Sequence, residues 1–179
     1  MPQEILDFWF SDEVRKLWFN STPEFDALLR ERFEAVWIRA SRGELDEWLQ
    51  SAAGCLALVI VLDQFPLNMF RGQAQSFAGE ARSREVARAA IDKGFDQDLD
   101  PGLRSFLYMP FMHSEVLADQ QLALQLFAQP GVDDNLRFAR HHHDIIEKFG
   151  RFPHRNKALG RESSESEIEY LNSKQAFRG

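Results

Sequence analysis

Apolar residues recur at spacings of three and four along almost the whole chain, and no stretch alternates with the period of two that a half-buried strand needs. Val59-Ile60-Val61 is the only β-like cluster, and it lies inside a longer apolar run. The clearest helix begins at Thr22-Pro23-Glu24: Thr22 as N-cap, Pro23 in the first helical position, Glu24 as a first-turn carboxylate. Phe25, Leu28, Leu29, Phe33, Val36 and Trp37 then share one face, and Gly43 can end it. Similar signals predict a short helix over residues 3–10, a turn from Asp46 and a buried helix from Ala52 to Leu62. Further helices are expected over Glu80–Lys93, from Asp100-Pro101, over Ser114–Ala128 and from Asp133 or Asp134 to Gly150. Ser164-x-x-Glu167 reads as a capping box for a last short one. Pro66 should end the buried helix, Asn68 to Gly72 should form a loop, and Pro110 should interrupt the helix that carries it. The expectation is an all-α single domain of seven to nine helices over residues 1–179, with short connections that favour antiparallel neighbours.

Composition narrows the partners. The net charge is −7 and the pI near 5.3, which argues against nucleic acid or an anionic membrane held by bulk electrostatics. A local basic pocket is still compatible with it. The 16 Phe and 4 Trp against 2 Tyr suit a core where several helices meet. Cys55, the one cysteine, sits in an apolar run and reads as a small buried hydrophobe. The N-terminus lacks a signal-peptide pattern, and the apolar run from Cys55 to Leu62 falls well short of the ~20 residues needed to span a bilayer. A cytoplasmic location is expected.

Three segments put polar residues among large apolar ones at helix ends: Leu62 to Gly72, Tyr108 to Glu115, and Phe149 to Asn156. Such groups must be hydrogen-bonded or paired to be tolerated. His113 and Glu115 are the candidates for proton transfer, with Asp119 one helical turn beyond Glu115. Ser114 and Glu115 also have a plain account, as N-cap and first-turn acid of the next helix. Asp63, Gln64, Arg71, Asp119, His142, Arg151, His154, Arg155 and Asn156 are the candidate ligand-binding residues. Arg71, Arg151 and Arg155 could hold a carboxylate or phosphate through bidentate contacts, and Arg161 could extend that cluster. In a helix, His141, His142 and His143 point about 100° apart, so they cannot converge on one ion. His142 should face the core together with Phe138, Ile145, Ile146 and Phe149. No metal-ligand spacing, nucleophile elbow, P-loop or dinucleotide-binding glycine pattern is present, so neither metal nor cofactor is expected.

The stretches LDQFP…NMFRG, YMPFMHSE…ADQ and HHDIIEKFGRFPHRN…LGRES, together with ILDFWF near the start, resemble the bacterial family called domain of unknown function 924. The likeness runs nearly the whole length. It implies a tetratricopeptide-like helical fold and no established activity. Within HHH, His142 is the position that matches the family's histidine. The family pattern has Arg where this chain has Leu67 and Asp where it has Glu80, which would leave an anion pocket here one cation short.

Three functions compete on this reading. One is a small-molecule site, its anionic ligand held by Arg71, Arg151, His154 and Arg155 and acted on by His113 and Glu115. The second is an interaction module for a protein partner or a second copy of the chain. The third is a purely structural polar network. The first requires the three segments to meet.

Overall fold

A computed structural model describes residues 1–179. The chain is 70% helix with no strand and ten α-helices. In order they are α1 (Pro2–Trp9), α2 (Asp12–Arg15), α3 (Pro23–Ser41), α4 (Ala52–Met69) and α5 (Glu80–Asp92). Then come α6 (Pro101–Met112), α7 (Leu117–Phe127), α8 (Leu136–Phe149), α9 (Asn156–Leu159) and α10 (Glu165–Leu171). Two of these, α2 and α9, are single four-residue turns.

The local signals act as their chemistry dictates. Thr22 accepts from Phe25 N–H, and the capping box is complete: Ser164 accepts from Glu167 N–H while Glu167 accepts from Ser164 N–H. Gly43, Gly94 and Gly150 follow helix ends with positive φ, a conformation open to glycine at no steric cost.

The prolines behave differently from expectation. Helix α4 passes straight through Pro66 to Met69, because residues Ile60–Gln64 form a π-helical turn. There Phe65 N–H reaches back five residues to the Ile60 carbonyl. The widened turn means that the helix no longer depends on the N–H that residue 66 lacks. Pro110 likewise lies inside α6, two residues before its last, where one missing hydrogen bond is tolerated. Ser114 does not cap α7, which starts only at Leu117.

Helix α4 is the axis of the core. Helices α1, α5 and α6 pack along it, and α3 packs on its last turns. Helices α6, α7 and α8 then follow as successive neighbours, an order that a tetratricopeptide-like arrangement would also give. The main apolar cluster joins 36 buried residues, among them Trp9, Phe33, Phe65, Phe70 and Phe111. A smaller one holds Ile145, Ile146 and Phe152, with Phe149, Tyr170 and Phe177 against it. By length and composition α4 could cross a membrane, but 83% of it is buried inside the protein, as in the core helix of a soluble protein. Two expected core residues face outwards, Leu28 at 47% and Phe138 at 46% exposure. On α8 the inward stripe is Ala139, His142, Ile145 and Ile146.

Candidate functional site

The ends of the three polar segments meet at His113. It closes α6, and its Nδ1 lies 2.9 and 3.1 Å from the two carboxylate oxygens of Asp63 on the π-helical turn of α4. Asp63 is almost wholly buried and also accepts from Gln64 Nε2 at 2.6 Å. The His113 carbonyl accepts from Arg155 Nη2 at 2.8 Å. Arg155, from the third segment, forms an ion pair with Glu80 in the first turn of α5, at 2.9 Å. Its guanidinium stacks between Phe77 and Phe152, at 4.3 and 4.8 Å from the ring centroids, and its Nε is buried without a partner. His142 completes the group from α8, its ring centroid 6.2 Å from that of His113.

Local geometry explains why these elements come so close. Gly79 precedes α5, and a Cβ there would stand 2.3 Å from the Leu62 carbonyl oxygen, inside the π-helical turn. Only glycine lets the first turn of α5, and with it Glu80, lie against Asp63.

The electrostatics divide the cluster. Burial disfavours the His113 cation, but the Asp63 charge, their hydrogen bond and Glu80 outweigh it, so the His113 pKa is raised. Burial raises the Glu80 pKa; Arg155 opposes this without cancelling it, and Asp63 reinforces it. His142 goes the other way. Burial and the nearby His113 lower its pKa to about 3, and its Nδ1–H donates to the Phe138 carbonyl at 2.7 Å. His154 is lowered to about 4 by burial and by Arg155. It makes ring contacts only, to Phe152 and Phe177.

Other expected site residues are committed to neighbouring bonds. Glu115 accepts from Arg161 Nη1 and Nη2, at 2.8 and 2.9 Å, and from Phe152 N–H at 2.8 Å. Burial raises its pKa, yet these donors outweigh burial and hold it below the usual carboxylate value. That suits a clamp between α6–α7 and the third segment better than a proton donor. Asn156 binds Ser163, Glu167 and Arg161. Arg151 pairs with the buried Glu167, whose pKa falls to about 2 chiefly through that bond. Asp119 accepts from Ser114 at 2.7 Å and pairs with Arg84 and Arg88. Arg71 lies outside the cluster altogether. It is bound at 2.7 Å to Asp26 of α3, which also accepts from Ser21 and Asn68. On the outer face of α8, His143, Asp144 and Glu147 bring ligand atoms within 4.8 Å of one another, an exposed grouping common without an ion.

Glu80, Phe77, Asp26 and Glu167 are the participants that the sequence reading missed as site residues. Their only sequence signal is ordinary, such as a first-turn acid at Glu80 and Glu167. What decides their roles is a partner far along the chain.

The match to known proteins covers nearly the whole of this arrangement. The model of a family of bacterial proteins of unknown function, DUF924, matches residues 5–175. The chain belongs to the DUF924 family. A solved structure of a protein of unknown function from Agrobacterium tumefaciens is 43% identical over 96% of this chain and 96% of that one, with a TM-score of 0.90. No curated protein matches this DUF924 chain.

Proposed function

We propose that the Asp63–His113 pair is the proton-transfer centre of a small-molecule site. One observation carries this reading: His113 spends Nδ1–H on a buried carboxylate, which leaves Nε2 as a basic nitrogen of fixed orientation. The same coupling of carboxylate and imidazole orients general bases in unrelated enzymes. The π-helical turn that carries Asp63 supports it, since such turns occur frequently at functional sites.

The ligand that fits is uncharged. Two carboxylates, Asp63 and Glu80, face one guanidinium, Arg155, so a further anion would meet net negative charge whenever His113 is neutral. The arginines considered for an anion pocket, Arg71, Arg151 and Arg155, are each matched by a carboxylate.

The test is hydrolysis of the uncharged probe p-nitrophenyl acetate by the full chain and by His113→Gln, between about pH 5 and 9. The wild type is expected to exceed the variant, with a rate that rises as His113 loses its proton. Equal rates at every pH would remove His113 from this role. The arginine–carboxylate pairing favours a second reading, in which the cluster only fixes helix packing. That reading expects equal rates in this assay.

A further inference from the structure

The segment after α10 bears on the other side of the cluster. Residues Ser173–Gly179 leave α10 without forming a helix and fold back across α8. Phe177 places its ring 4.6 Å from His142 and 4.9 Å from His154, centroid to centroid, and rests on the Ile145–Ile146–Phe152 cluster. Four bonds tie the segment to α10: Ser173 N–H and hydroxyl to the Tyr170 carbonyl at 3.0 and 2.7 Å, Phe177 N–H to the Tyr170 hydroxyl at 2.8 Å, and Arg178 to the Leu171 carbonyl at 3.1 Å.

The surroundings of that ring are unusual for mere core closure. A phenylalanine needed only to cover apolar surface would meet aliphatic or aromatic carbon. Phe177 meets, besides that apolar cluster, two imidazoles that keep nitrogen atoms free. His142 uses only Nδ1, and His154 uses neither nitrogen in a hydrogen bond. Neither residue's free nitrogen is among the buried side-chain atoms that lack a partner, so these nitrogens remain open to the hydrogen-bonding groups of a ligand. The place is also adjacent to the proton-transfer pair, because the ring of His142 neighbours both Phe177 and His113.

We propose that Ser173–Gly179 is a displaceable strap, and that Phe177 fills a subsite built to take an uncharged aromatic or heteroaromatic ring of a ligand, with His142 and His154 as its hydrogen-bonding walls. The proposal rests on the reading of a small-molecule site, and it names the ligand's chemical class. A ring with polar substituents would replace the Phe177 contacts and engage the free imidazole nitrogens. The few bonds that hold the strap make its opening a local event that leaves the helices in place.

Diethyl pyrocarbonate acylates unprotonated imidazole, so at neutral pH its reaction with His142 and His154 is set by access. The full-length wild type, Phe177→Ala and Tyr170→Phe are compared by peptide mass spectrometry, with His143 on the same helix as internal control. In Phe177→Ala both residues should react roughly tenfold faster, as expected once local opening is no longer opposed by the ring. Tyr170→Phe keeps the ring, removes one tie and should give a smaller increase, while His143 stays constant. Phenol added to Phe177→Ala should slow the reaction again, and cyclohexanol should not. No acceleration in either variant, or acceleration of His143 as well, would overturn the strap. Acceleration without selective protection by phenol would overturn the aromatic subsite. None of these readouts involves His113, so loss of its proposed role in ester hydrolysis would leave them standing and would be recognised separately.

Discussion

His113 and His142 face each other across 6.2 Å, yet their surroundings drive them to opposite protonation states. The His113 side is ionic: Asp63 and Glu80 hold its pKa up against burial. The His142 side is aromatic, with Phe152 and Phe177 around it and no carboxylate in reach, so burial and the His113 charge push its pKa to about 3. Two residues of the same type, one at a helix end and one in the middle of a helix, thus become a proton acceptor and a neutral hydrogen-bonding wall. Both are desolvated enough for burial to disfavour their cations; the partner that each side chain meets decides the direction.

The largest effect should come from breaking the ionic side. Arg155→Ala removes the guanidinium that neutralises Glu80, and both groups are largely buried. Unpairing one member of such a pair costs about 3–5 kcal/mol. Urea unfolding at neutral pH should show a loss of that order. The loss should shrink on mild acidification, as Glu80 takes up a proton in the folded variant. An Arg155→Met, Glu80→Gln double variant should recover much of the deficit, because no uncompensated charge then stays buried. A single variant as stable as the wild type would mean that solvent reaches this pair and that the ionic side is not closed.

The aromatic side should show itself through pH. His142 and His154 have folded-state values near 3 and 4, below the roughly 6.5 of an unfolded histidine. The unfolded chain therefore binds more protons between these values. Stability from these two residues is complete above about pH 6.5 and is lost as pH falls towards 4 and then 3. His113 has the opposite sign. Its raised value gives stability that is full below about 6.5 and lost as pH rises through its folded pKa. One unopposed histidine changes stability by about 1.4 kcal/mol per pH unit, so His142 alone accounts for up to about 3 kcal/mol between neutral pH and pH 4. The urea midpoint of His142→Asn should fall less steeply over that range than that of the wild type. Parallel curves would show that His142 titrates normally and that the contrast between the two histidines is smaller than the geometry implies.

What the sequence made legible follows from the range of the interactions. Helix starts at Thr22-Pro23 and Ser164 depend on residues three positions apart, so they are visible locally. His142 facing inwards follows from periodicity alone. The continuation of α4 through Pro66 was not legible, because it depends on a π-helical turn whose spacing no residue type announces. That Asp63, His113, His142 and Arg155 share one cluster was likewise hidden. Arg155 and Glu80 are 75 residues apart, and Asp63 and His113 are 50 apart. A sequence shows which side chains need partners but not which partners they find. Glu115 illustrates the point: its place in the first turn of an expected helix suggested a dipole charge, and the structure gives it to Arg161.

Arg71 offers the smallest effect and the sharpest control for Arg155. It has a carboxylate partner at 2.7 Å, closer than the 2.9 Å of the Arg155–Glu80 pair, and the same guanidinium chemistry. Distance alone would therefore rank it as the stronger. Its side chain is 57% exposed, however, against 6% for Arg155. Exposed pairs are worth about 0.2–1 kcal/mol and weaken as salt screens them. After Arg71→Ala, Asp26 still accepts from Ser21 and Asn68, so no charge is stranded. Urea unfolding of Arg71→Ala should differ from the wild type by under about 1 kcal/mol, with the difference fading at about 1 M salt. A loss as large as that of Arg155→Ala, insensitive to salt, would make the Asp26–Arg71 junction a second closed ionic centre. The chain would then hold two such centres rather than one.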